Sequence, residues 1–158
     1  AALEGRANVV SLHTCGKALG ASGGLVLAPR VLADFLVNRG RAFIYATAPP
    51  PLTAAIVRES LRICRDEPER RTALGERIAA FSTAARSHIV PIVVGADTRA
   101  VALAAALRRR GFDVRAIRPP TVPEGTARLR ITLTLNVGAD DARALSSAIN
   151  EEMTRLAA

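Results

Sequence analysis

The chain has 158 residues, about one domain's worth, with 49% apolar residues and a formal net charge of +8. A chain of this length buries roughly 70% of its unfolded surface without disulfide or metal staples, and its apolar content excludes a disordered polypeptide. The unbroken apolar stretches fall short of the ~20 residues of a membrane span, no basic region followed by an apolar block opens the chain, and Cys15 and Cys64 are too few for a disulfide framework or a four-ligand zinc site. The expectation is a cytoplasmic protein without a metal.

Residues 8–14 read as a short strand, 16–24 as a turn punctuated by Gly16, Gly20, Gly23 and Gly24, and 25–28 as a second strand. Pro29 suits the first turn of a helix with Leu32, Phe35 and Leu36 on one face and Gly40 as its stop. Residues 41–51 read as a loop ending in Pro49, Pro50 and Pro51. A helix is predicted from Leu52 to about Arg65, a break at Asp66-Glu67-Pro68, and a second helix from Glu67 to Ser87 with Leu74, Ile78, Phe81 and Ala85 along one stripe. Ile89 to Val94 is a strand, and Pro91 marks it as an edge or irregular one. Asp97 is placed to cap a helix carrying Ala100, Leu103, Ala104 and Leu107, closed by Gly111. Phe112, Val114 and Ala116 alternate with Asp113 and Arg115 as a half-buried strand. After a rigid loop at 119–125, Ala127, Leu129, Ile131, Leu133 and Leu135 alternate with polar residues, the cleanest strand pattern in the chain. Asp140 and Asp141 open a final helix with Leu145, Ala148, Ile149 and Leu156 inward. Residues from about 88 onward form a β-α-β-β-α unit.

The basic excess points toward nucleic acid, but the four Phe and one Tyr are too few and scattered for stacking, so solvated arginine faces are the better reading. Of the 22 basic residues, 21 are Arg, and Lys17 is the one lysine. An amine can lose its proton near neutral pH and attack a carbonyl, and a guanidinium cannot. The candidate site is therefore Thr14-Cys15-Gly16-Lys17-Ala18-Leu19-Gly20, where a strand ends in a glycine-rich turn. A P-loop is excluded, because Ser11 and Ala18 stand where it needs Gly and Ser or Thr. Two readings of the local string remain: a lysine that forms an imine with pyridoxal phosphate beside a phosphate-binding hydroxyl, and a surface lysine beside a turn.

Four stretches carry a wider likeness: TCGKALGASGG at 14–24, RAFIYATAPPP at 41–51, IVPIVVG at 89–95 and IRPPTVPEGTARLRITL at 117–133. Together they resemble the C-terminal part of the α-oxoamine synthases, pyridoxal 5'-phosphate enzymes of the aspartate-aminotransferase-like fold. The resemblance runs over nearly the whole chain and covers about the last two-fifths of a family member. It implies an α/β chain of the type I fold of pyridoxal-phosphate transferases. Residues 1–51 would end the large cofactor-binding domain, 52–87 connect, and 88–158 form an α+β small domain with a three-stranded sheet. The first two strands would then lie in a large, mostly parallel sheet, leaving apolar surface exposed over 1–45.

By the same resemblance, Lys17 matches the lysine that holds the cofactor and Thr14 the hydroxyl on its phosphate. Thr47 matches a phosphate contact reaching across a homodimer, with Ala46 where the family often has a second hydroxyl. Thr121 matches a substrate-binding position and Arg130 the arginine that pairs with the amino-acid carboxylate. The implied activity is that of an acyltransferase of the biotin pathway, condensing L-alanine with pimeloyl-CoA or a pimeloyl carrier protein; the run Arg118-Pro119-Pro120 favours this branch over glycine-using sisters. No nucleic acid or membrane partner is expected. The family's pyridine-stacking histidine and pyridine-pairing aspartate match neither His13 nor His88, so the chain is expected to be an incomplete catalyst. Cys15 reads as packing.

Overall fold

The computed structural model describes residue 6 and residues 8–156. The chain divides into two compact units, one ending at Glu67 and one starting at Pro68.

In the first unit, β1 (Ser11–Thr14) pairs antiparallel with β2 (Gly24–Leu27), Ser11 opposite Leu27 and Thr14 opposite Gly24. The pair is antiparallel because the connection from Cys15 to Gly23 is too short for the crossover that parallel strands require. Helix α1 (Arg30–Arg39) follows, with Pro29 at its N-cap. Gly40 ends it and at once starts a second helix. The Gly40 N–H donates to Leu36 O at 2.7 Å, while its own carbonyl accepts from Phe43 and Ile44. A Cβ at Gly40 would lie 2.5 Å from that same carbonyl oxygen of Leu36. Helix α2 (Arg41–Ile44) thus occupies part of what reads in sequence as loop. Helix α3 (Pro51–Asp66) starts on the last of the three prolines. Apolar side chains stand exposed along residues 10–45, among them Leu12 (74%), Val31 (81%) and Phe35 (58%).

The second unit begins with α4 (Glu69–Phe81). It ends well before Ser87, because Ser82 turns extended and its hydroxyl accepts from the Ala84 N–H. A three-stranded antiparallel sheet follows, β3 (Ile89–Gly95), β4 (Arg115–Ile117) and β5 (Ala127–Thr132), in the order β3-β5-β4. Pro91 is thereby on an edge strand, where a missing N–H is tolerated. Helix α5 (Asp97–Arg109) connects β3 to β4, and α6 (Ala139–Arg155) follows β5. Asp97 is the first residue of α5 rather than its cap, which is Ala96, and no side chain caps that end. Strand β4 is shorter than its alternating pattern, yet Phe112, Val114 and Ala116 all pack against the core. At α6, Asp141 accepts a hydrogen bond from the Gly138 N–H at 3.2 Å. Leu156 caps the far end and is 39% exposed, not inward.

The core of this unit is Phe81 from α4, Leu103 and Leu107 from α5, Leu129, Ile131 and Leu133 from β5 and just beyond, and Ala142, Ala148 and Ile149 from α6. Buried Glu152 joins the two long helices through Arg110, at 3.3 Å. Replacing Leu129, fully buried on the central strand, by Ala is expected to cost about 2–5 kcal/mol through lost burial and a residual cavity. Leu12→Ala, at a side chain already in water, is expected to cost less than about 1 kcal/mol. Thermal unfolding of the two variants checks the contrast.

Candidate functional site

Of the residues singled out by sequence, the first unit holds Thr14, Lys17 and Thr47. Strand β1 ends at Thr14, and the chain from there to β2 closes on its own backbone. Cys15 N–H donates to Gly23 O at 2.9 Å, Ala21 N–H to Cys15 O at 2.9 Å and Gly20 N–H to Lys17 O at 3.0 Å. Gly20 and Gly23 have φ of +62° and +85°, conformations that side-chain-bearing residues rarely adopt. The Thr14 hydroxyl accepts from the Gly16 N–H at 3.3 Å. Lys17 is exposed within this turn, with its amine in no ion pair among the described residues.

Cys15, 2% exposed, anchors the turn from beneath, in keeping with a packing role. A second anchor comes from α3: the Ser60 hydroxyl donates to Leu19 O at 2.9 Å across 41 residues. Sequence reading passed over Ser60. Its signal is positional, since it lies three residues past buried Val57 on the inward stripe of α3. A cavity of about 750 Å³ lies against the same turn, lined by Cys15, Gly23, Gly24, Thr53, Val57 and Arg62, among others. On its rim Arg62 binds Glu59 at 2.6 Å and Asp66 at 3.4 Å. The Arg62 hydrogen bond holds the Glu59 carboxyl below its ordinary range, and the Arg65 hydrogen bond does the same for Asp66. Thr47 is exposed and makes no hydrogen bond among the described residues; nearby, the Arg41 guanidinium lies 5.6 Å from the Tyr45 ring centre.

The second unit holds Thr121 and Arg130. Thr121 sits in the proline-rich loop before β5, its N–H donating to Arg118 O at 3.0 Å, and it is exposed, its hydroxyl making no hydrogen bond among the described residues. Arg130 and Arg128 share the polar face of β5, as their spacing requires, but they are differently employed. Arg128 is half-buried and donates from Nε to Thr126 O at 3.0 Å. Arg130 is exposed and has no hydrogen-bond or ion-pair partner among the described residues. A guanidinium with five donors and no protein acceptor is available for an outside carboxylate. No group of three or more metal-ligating side chains occurs among the described residues, and no helix there is long and apolar enough to cross a membrane.

A family model described as "Aminotransferase class I and II" matches residues 1–149. The chain is 43% identical over 157 residues to the 8-amino-7-oxononanoate synthase of Stenotrophomonas maltophilia (strain R551-3), an alignment covering 93% of this chain and 39% of that protein. Among solved structures, it is similar to 8-amino-7-oxononanoate synthase from Francisella tularensis, with a TM-score of 0.80 and 24% identity over 95% of this chain and 47% of that one. It is also similar to a structure described as SPT with PLP internal aldimine, with a TM-score of 0.84 and 23% identity over 98% of this chain and 41% of that one. These two likenesses bear on the fold. The chain spans about two-fifths of the length of the curated relative.

The Ser60 bond gives the turn a testable support. Ser60→Ala removes a hydrogen bond worth about 0.5–1.5 kcal/mol. Amide-exchange protection over residues 16–21 is expected to fall about two- to tenfold, while protection in α5 and α6 stays unchanged.

Proposed function

The chain belongs to the aminotransferase class I and II family, and we propose that it serves as the C-terminal portion of a pyridoxal-phosphate acyltransferase acting in biotin synthesis. The reaction joins the α-carbon of L-alanine to the carbonyl carbon of a pimeloyl thioester, carried by CoA or a carrier protein. It releases the thiol and, as CO₂, the alanine carboxyl, leaving 8-amino-7-oxononanoate. The observation that carries the reading is the placement of the chain's one lysine, Lys17, in a backbone-closed turn beside the Thr14 hydroxyl. The 43% identity to a synthase of that name supports the choice of substrates.

The residues present fit pyridoxal 5'-phosphate. The turn offers an exposed primary amine, a hydroxyl three residues earlier and glycines that allow close approach of the backbone. When bound, the cofactor supplies an electron sink for charge developing at the substrate α-carbon. Lys17 would hold it covalently and, once freed by the amino group of alanine, take the α-proton onto Nζ. That requires the amine unprotonated, a state open to Lys and closed to Arg. Thr14 would hold the cofactor phosphate. Exposed Thr47, without a hydrogen-bond partner among the described residues, would reach the phosphate of a second subunit in a homodimer. Arg130 would take the alanine carboxylate in a two-pronged bond and so orient the α-carbon, and Thr121 would contact substrate. The large-domain, connecting and small-domain roles of residues 1–51, 52–87 and 88–158 belong to the same proposal, as does a cytoplasmic location.

Two measurements on the holoenzyme test this. Lys17→Ala is expected to abolish the visible absorption band of covalently held cofactor and the condensation activity, and Lys17→Arg to fail equally. A variant retaining the band refutes the role of Lys17, and turnover of glycine in preference to alanine refutes the substrate. In the second, Arg130→Lys is expected to raise KM for alanine about tenfold to a hundredfold, since a charge-assisted bond worth about 1.5–3 kcal/mol is lost. Arg128→Lys is expected to change it less than about fivefold. Equal effects at the two positions would place the carboxylate elsewhere.

A further inference from the structure

Arg130 does not stand alone on its sheet face. In the pairing of β4 with β5, Arg115 lies directly opposite Arg130, and in the pairing of β3 with β5, Pro91 does. Directly opposed residues of an antiparallel pair project to the same face, with Cβ atoms about 4.5–5.5 Å apart. Two guanidinium-bearing residues thus occupy one cross-strand pair, an arrangement that repels unless an anion is shared. Neither β3 nor β5 carries a carboxylate. The acid beside β4 is Asp113, and it is already shared: Arg115 binds it at 3.1 Å and Arg108 at 3.3 Å. Arg130 is left facing a neighbour of its own sign with no protein counter-ion among the described residues.

We propose that Arg115 is a positioning residue for the carboxylate site: its charge, on the residue paired with Arg130 across the strands, adds to the local positive potential and so draws the substrate carboxylate onto Arg130. Asp113 anchors the Arg115 guanidinium from residue i−2 without reaching Arg130 itself. Arg115 needs no direct bond to substrate for this. A unit charge several ångströms away at a protein surface changes carboxylate affinity about three- to tenfold. The inference rests on the reading that Arg130 binds that carboxylate, and it adds a residue that sequence reading treated only as the polar half of a strand.

The test is steady-state kinetics of the holoenzyme with alanine varied, at low and high ionic strength, with thermal unfolding of each variant as the check on folding. Arg115→Ala is expected to raise KM for alanine about three- to tenfold at unchanged kcat, with the effect shrinking in about 0.5 M salt, where exposed charges are screened. Arg115→Lys, which keeps the charge, is expected to restore most of the wild-type KM, which a structural or hydrogen-bonding role would not do. Arg109→Ala, in the last turn of α5, is the control with KM unchanged. If Arg115→Ala unfolds the protein, Arg115→Gln serves in its place. An Arg115→Ala KM within twofold of wild type, or an effect independent of salt, overturns the inference while leaving Arg130 in place. An unchanged KM for Arg130→Lys overturns the reading beneath it, and the inference falls with it.

Discussion

The second unit depends on the pleat of one strand. Leu129, Ile131 and Leu133 are each 2% exposed or less and meet residues from three helices. A strand alternates its side chains, so burying those three obliges Arg128, Arg130 and Thr132 onto the opposite face. A slip of one residue would drive two guanidiniums into the core, which makes the register strongly specified. The pairings with β3 and β4 follow from that register, and with them the identity of each neighbour of Arg130. Which side chains stand on the open face is thus set by packing on the closed one.

The first unit rests on a different kind of constraint. Its buried side chains among the described residues are Cys15 and Val57. The turn that carries Lys17 is held by backbone bonds, two left-handed glycines and the Ser60 hydroxyl. Such a turn presents its side chains by fixing the main chain, leaving the amine of Lys17 exposed. Helices α1 and α2, joined at a glycine where a Cβ would collide with a carbonyl, likewise owe their geometry to the backbone.

These two modes explain what was legible from the amino-acid sequence. Periodicity finds burial, so α5 and α6 were readable nearly to their ends, and Ala100, Leu103 and Leu107 of the expected α5 stripe are buried, whereas β5 stops at Thr132, short of the alternation read to Leu135, which is 37% exposed. Phe112, Val114 and Ala116 pack as their alternation implies even though the ladder is confined to 115–117, because burial and strand hydrogen bonding are separate properties. Where local backbone bonds decide, the pattern failed. The short α2 hid in an apparent loop, and α4 stopped at a serine that bonds its own downstream backbone. Lys17, Thr14, Thr47, Thr121 and Arg130 were chosen by residue type and by resemblance. Ser60 and Arg115 were passed over because their significance lies in long-range contacts, one across 41 residues and one across a strand pair.

The use of arginine sharpens the contrast between the two chemistries. Arginines of this chain that have carboxylates in reach are tied to them, as Arg62, Arg65, Arg110 and Arg115 are. A guanidinium retains its charge at any physiological pH, so an arginine left without a partner keeps an uncompensated positive charge. Arg130, on a face whose strands β3 and β5 supply no acid, meets that description. Lysine is the complement: its amine can give up its charge, and so can act as a nucleophile and as a base. In a chain with 22 basic residues, the one that can do so stands in the turn after β1. In the proposed reading, a fixed charge would orient a carboxylate and a removable proton would do chemistry, and these different requirements would fall to different side chains.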